Sequence, residues 1–193
     1  MLTPAQHYYV SALITAIASF GFLLFVFFKS LNRKLANYFV WYAYCIAHWS
    51  FFVFACTAVS DYAISYRLAQ ICHMVGVFIP VAFLHFVKVL VNIKKKWLDS
   101  VIFGAYLLIG GISVVIIVQP GLFMADVVPK LTFHYFPEPG FLFYFWTALF
   151  VVLVLVALSV LFIQSRKKRG AERKRLTFFL IANALGYGWG IGC

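Results

Sequence analysis

Acidic residues are scarce in this sequence. Five Asp and Glu stand against sixteen Lys and Arg in 193 residues, and charged residues of both signs make up only 11%. A soluble domain carries roughly 25%. None of the five, Asp61, Asp99, Asp126, Glu138 and Glu172, lies within a long apolar run. The lack of a carboxylate in those runs disfavours a carboxylate proton relay and most ion-coupled transport schemes. HExxH, GxSxG and Walker patterns are also missing, so the sequence offers no catalytic constellation and no enzyme activity is expected of this chain. The four cysteines, Cys45, Cys56, Cys72 and Cys193, form no CxxC and all fall in apolar sequence. That pattern argues against a disulfide framework or a metal cluster and for buried free thiols.

What the chain has in abundance is apolar surface. Hydrophobic residues are 65% of the total and aromatic residues 20%, more than a soluble fold of this length can hide. A spanning helix needs about 20 apolar residues. Suitable stretches occupy residues 8–28, 38–60, 62–93, 101–118, 141–163 and 176–193. Backbone in lipid must satisfy its own hydrogen bonds, so these stretches are predicted to be helices. The expected fold is an all-α, polytopic membrane bundle of six transmembrane helices. The first ten residues carry no positive n-region, and the apolar run behind them is longer than a signal-peptide core, so the first helix is retained.

The surplus of positive charge orients the bundle. Thirteen of the sixteen basic residues lie in loops at 29–34, 94–96 and 166–175, all on one side of the alternation, and Lys130 is the single loop cation opposite. By the positive-inside rule the first set is cytoplasmic and the N-terminus lies outside. Nucleic acid is rejected as a partner, because the aromatics sit in the apolar runs and do not alternate with cations as stacking platforms do. The cluster at 166–175, RKKRGAERKR, is suited to anionic inner-leaflet lipid. On the other side, residues 119–140 form a long connection with Pro120, Pro129, Pro137 and Pro139. Loops of that length usually serve a function or are disordered. Its aromatic run TFHYF suggests some packing and a short strand.

The order of these elements resembles the N-terminal seven-helix sensor region of bacterial histidine kinases, also found ahead of diguanylate cyclases. The third helix carries the best local match, with Arg67, Gly76, Pro80 and Phe86 at the places of a basic residue, a Gly, a mid-helix Pro and an aromatic. The step Pro139–Gly140 ahead of the fifth helix also fits, as does the basic stretch leading through RKRLTFFLIANALGYGWG. The resemblance implies a single membrane-embedded sensor domain over residues 1–193, in a bacterial inner membrane, passing a signal to a cytoplasmic output domain. The seventh helix is the departure. The last stretch is still apolar at Cys193, so the sequence is expected to stop short of the natural end of the domain, with any catalytic output lying beyond it.

Within the third helix Gln70, His73 and Pro80 share one face, since steps of three, four and seven residues return to the same side. Pro80 removes a backbone bond and is expected to kink the helix. A hinge beside a polar pocket is one reading, and a static kink satisfied by a neighbouring helix is the plainer one. Arg67 could pair with Asp61 or meet an anionic ligand, whereas Lys88 is expected to snorkel. His48, His73 and His85 lie inside helices, where hydrogen bonding between helices is the default. Axial ligation of a b-type haem by His48 and His73 is the alternative, and no cofactor is otherwise expected. Arg67, Gln70, His73, Pro80, His85 and His48 are thus the candidate signal-sensing set. Lys130, His134 and Glu138 are the candidate ligand contacts of the outer loop. Gly186, Gly188, Gly190 and Gly192 could make close helix contacts or unwind the last helix.

The leading expectation is a membrane sensor module for an extracytoplasmic or intramembrane signal, with a second copy of the chain among its conceivable partners. A small transporter or channel is the alternative, followed by a haem-bearing redox protein. The identity of the signal, a small molecule or a membrane property, is not legible in the residues.

Overall fold

The computed structural model describes residues 4–130 and 133–191. Helix α1 (Pro4–Lys29) runs into α2 (Arg33–Ala58) through a short turn. The third span is divided into α3 (Tyr62–Gly76) and α4 (Ile79–Leu90), followed by α5 (Lys96–Val118). A 3-10 turn at Pro120–Leu122 leads to a hairpin of β1 (Met124–Lys130) and β2 (Phe133–Pro139), and then come α6 (Phe141–Lys167) and α7 (Gly170–Ile191). Four of these helices, together with the α3–α4 pair as a fifth span, are long and apolar enough to cross a membrane. Helix α7 opens instead on Glu172, Arg173, Lys174 and Arg175, and only its later part is apolar. The architecture is the expected all-α, polytopic bundle.

The ends of the elements differ from hydropathy limits for identifiable reasons. Apolar counting starts α2 at residue 38, but Asn32 accepts the Leu35 N–H at 3.1 Å and begins the helix five residues earlier, at Arg33. Asp61 caps α3 in the same way, through the Ile64 N–H at 2.9 Å. The third span stops at Leu90 and not at residue 93, because Asn92 turns the chain at φ 55°. Gly170, at φ 59°, reverses the chain between α6 and α7. Helix α7 continues through Gly190 to Ile191 without unwinding. A Cβ at Gly186 or Gly188 would meet nothing within 4 Å, so these two glycines make no close contact within the chain. Gly192 and Cys193 lie outside the described residues.

The α3–α4 span is the centre of the molecule. Over its most apolar window 56% of residues are buried, against 11% for α1. Helix α2 packs along it on one side and carries α1 on its outer flank; α5 and α6 pack on others, and α7 lies against α6. Val77, Val81, Phe83, Leu84 and Val87 are fully enclosed. Phe20, Phe25, Phe28, Phe103 and Phe178 point outward. Lipid is as apolar as these side chains, so contact between helices depends on close packing and hydrogen bonds more than on burial from water. Gly76 illustrates the packing: a Cβ there would sit 2.7 Å from Cδ1 of Trp49 on α2. Cys45, Cys56 and Cys72 are buried free thiols.

The long connection folds into an antiparallel hairpin at the end of the bundle opposite the basic loops. Val127 pairs with Pro137 and Lys130 with Phe133, with irregular register after Met124 and after Val128. Both strands are edges, so Pro129 and Pro137 need not donate to a central ladder. The expected short strand exists, and it is longer than the aromatic run, reaching Pro139. Gly140 closes the loop onto the 3-10 turn. Its N–H donates to the Phe123 carbonyl at 2.8 Å, and a Cβ would lie 2.6 Å from the Leu122 carbonyl oxygen.

Candidate functional site

The break between α3 and α4 is the polar feature at the centre of the bundle. Pro80 has no N–H to offer Gly76, and its ring would crowd that carbonyl in a continuous helix. The backbone responds two residues earlier. The Phe78 N–H turns to the Val75 carbonyl at 3.0 Å, while the Val77 N–H still reaches His73 at 3.2 Å. Two carbonyls then receive donors from other helices. Ser113 Oγ on α5 donates to the Met74 carbonyl at 2.8 Å, and Trp146 Nε1 on α6 donates to the Val77 carbonyl at 3.1 Å. Neighbouring helices thus satisfy two carbonyls at the break.

Directly beneath the hairpin, an aromatic cluster joins this break to the loop. Phe123, fully buried at the root of β1, lies 5.4 Å from the His73 ring, 5.4 Å from Phe143 and 5.8 Å from Trp146. The His73 Nδ1 is 2.7 Å from the carbonyl of Ala69 in its own helix, leaving the ring edge against Phe123 and Phe143. Phe123 thus bridges the hairpin root, the residue above the break and the tryptophan that caps it. Further out, Tyr62 donates to Asp126 of β1 at 2.7 Å, and Tyr62 and Tyr135 are in ring contact at 5.7 Å. Tyr8 of α1 meets Phe133 of β2 at 5.2 Å.

Arg67 and Gln70 form the other arm of the site. The Arg67 Nη1 donates to Gln70 Oε1 at 3.0 Å, and Gln70 Nε2 donates to the carbonyls of Ile116 and Ile117 at 2.8 and 3.3 Å. Those carbonyls belong to the last turn of α5, which has no intrahelical donors left. The guanidinium also stands where a positive charge favours the helix dipole. Arg67 thus reaches Gln70 and not Asp61, whose Oδ1 caps α3.

The remaining candidates are dispersed. His48 Nε2 is 2.9 Å from the Ile71 carbonyl, and its ring lies beside Tyr44 and Phe52. It borders α3 at Ile71, whereas His73 faces the hairpin and α6. His85 lies near the other end of the span, against Tyr38 at 4.2 Å and Tyr106 at 5.7 Å. Lys88 forms an ion pair with Asp99 at the start of α5, a more specific engagement than snorkelling. On the hairpin, Lys130 stands 5.7 Å over the Phe136 ring, and His134 and Glu138 are exposed on β2. The structure joins Arg67 to Gln70 and the end of α5, sets His73 against Phe123 and α6 above the Pro80 break, and leaves His48 and His85 elsewhere. Sequence reading missed Ser113, Trp146, Phe123 and the Tyr62–Asp126 pair. A lone indole N–H in an apolar helix was the available signal, since a buried one must find an acceptor.

Fold and site together define a multi-pass helical membrane protein with a broken central span under an ordered hairpin. The chain belongs to the family of N-terminal 7TM regions of histidine kinases, whose family model matches residues 11–187. No curated protein and no solved structure matches the chain.

Proposed function

We propose that this chain is a sensor module that receives an extracytoplasmic or intramembrane signal at its hairpin end and transmits it to a cytoplasmic output domain such as a histidine kinase. Family membership supports the general role. The observation that carries the finer reading is the contact path from hairpin to break: Phe123 touches both His73 and Trp146, and Trp146 holds the Val77 carbonyl. A ligand or membrane property can shift a conformational balance only by interacting differently with two states. A span interrupted next to a proline, with its loose carbonyls held by side chains from two other helices, is an element able to exist in two hydrogen-bonded arrangements.

In this reading the hairpin faces outward and the basic loops face the cytoplasm of a bacterial inner membrane. Lys130, His134 and Glu138 are then the first groups a soluble signal meets. The loop at 166–175 contacts anionic lipid, helped by Arg166 over Phe162 and weakened where Lys168 is already paired with Glu172 at 2.8 Å. No catalytic role is proposed for the chain itself. The test uses the chain joined to its kinase output. Arg67→Ala and Pro80→Ala should each change signal-dependent phosphorylation while membrane insertion and yield stay normal. If both variants respond as the parent does, the third span is scaffold and the sensing site lies elsewhere.

A further inference from the structure

At the basic end of the bundle, away from the hairpin, a cleft of about 550 Å³ lies between α2 and α5, lined by Lys34, Asn37, Tyr38, Trp41, His85 and Tyr106 and closed at depth where Tyr106 meets Trp41. Lys34 is three and four residues before Asn37 and Tyr38, and Trp41 is four and three after them, so the four share one broad face of α2. His85 of α4 forms the floor, and Tyr106 of α5 the far wall. The lining is graded along its length. Lys34, Asn37 and the Tyr38 hydroxyl lie toward the basic loops. Trp41 and Tyr106 lie deeper, both against Phe78, at ring separations of 6.0 and 6.4 Å. The nearest carboxylate, Asp99, is already neutralised by Lys88. Lys34 and Asn37 are exposed, so the cleft opens at the basic end of the bundle.

We propose that this cleft binds one anionic glycerophospholipid, with its phosphate on Lys34, Asn37 and Tyr38 and its glycerol and upper acyl carbons against Trp41 and Tyr106. Three features select that occupant. The volume is in the range of small-ligand sites, enough for a headgroup and the first part of its chains. The polar end offers a cation and neutral donors and no unpaired acid, which suits a phosphate and disfavours a cationic ligand. The aromatic end continues into the hydrocarbon layer, so a soluble anion would leave it unfilled. The same loops carry most of the cations of the chain, and a leaflet facing them is enriched in anionic lipid by simple attraction. This site differs from the diffuse contacts of residues 166–175 in having walls, and it does not depend on the sensing role.

The test is native mass spectrometry of the full chain released from detergent with phosphatidylglycerol, phosphatidylcholine or glycerol 3-phosphate added. One phosphatidylglycerol should be retained in preference to phosphatidylcholine, and glycerol 3-phosphate should not compete at equal concentration. Lys34→Gln should lower that occupancy about fivefold, the usual worth of one lysine at an anionic surface, and Trp41→Ala should lower it too. Arg169→Gln with Arg173→Gln should leave it unchanged. Circular dichroism and gel filtration establish that each variant is folded. Equal retention of the two lipids, undiminished binding in folded Lys34→Gln and Trp41→Ala, or loss only in the loop variant would each overturn the site. Displacement by glycerol 3-phosphate would assign the cleft to soluble phosphate esters and overturn the lipid.

Discussion

At the scale of the residue, a few polar groups in an apolar bundle hold the broken span in place. The indole N–H of Trp146 matters because Pro80 disrupts the backbone near Val77. Trp146→Phe keeps most of the ring and removes the donor, which should cost about 1 kcal/mol, in line with hydrogen bonds between membrane helices. In a Pro80→Ala background the helix can regain its own bonds, so the same substitution should cost clearly less. Unfolding in mixed micelles measures both legs of that cycle, and equal costs would separate the tryptophan from the break. Gly76 gives a second check. Gly76→Ala should destabilise by about 1–3 kcal/mol, because the new Cβ runs into Trp49. Gly104→Ala, where nothing lies within 4 Å, should be neutral or mildly stabilising in the same assay.

At the scale of the element, the hairpin and the broken span are the parts that distinguish this bundle from a plain stack of helices. The hairpin is fastened to α3 by Tyr62 and Asp126 and to the core by Phe123. Asp126→Asn or Tyr62→Phe should loosen it without unfolding the helices. Hydrogen exchange should then quicken across β1 and β2 and stay unchanged in α4, and uniform protection would show that the pair contributes nothing. Much of this level was legible beforehand. Apolar runs located the spans, Pro80 marked the place where one of them breaks, and the aromatic run announced a strand. Other features depend on tertiary placement. Asn32 and Asp61 set helix starts through caps that hydropathy does not register. No local pattern tells that Ser113 and Trp146, far apart in sequence, aim at carbonyls two turns or less from Pro80. Arg67 was singled out for a pairing with Asp61 or an anionic ligand, whereas its partner is Gln70 and through it the end of α5.

At the scale of the whole molecule, the distribution of basic residues predicts the orientation. A single cysteine replacing Lys168 should resist an impermeant reagent in intact cells and react after permeabilisation, whereas one replacing His134 should react in both; the reverse pattern would invert the bundle. The central claim is that the hairpin end governs the output through the Trp146-capped break. Its most direct measurement is autophosphorylation of the kinase-bearing chain with and without Trp146→Phe, in membranes and at matched protein levels. Loss of one hydrogen bond near 1 kcal/mol that holds one arrangement more than the other corresponds to about a fivefold change in their ratio. Basal phosphorylation should therefore shift severalfold in Trp146→Phe and return toward the parent level in the double variant with Pro80→Ala. Identical phosphorylation in parent, single and double variants would contradict the account and leave the break a static feature of the fold.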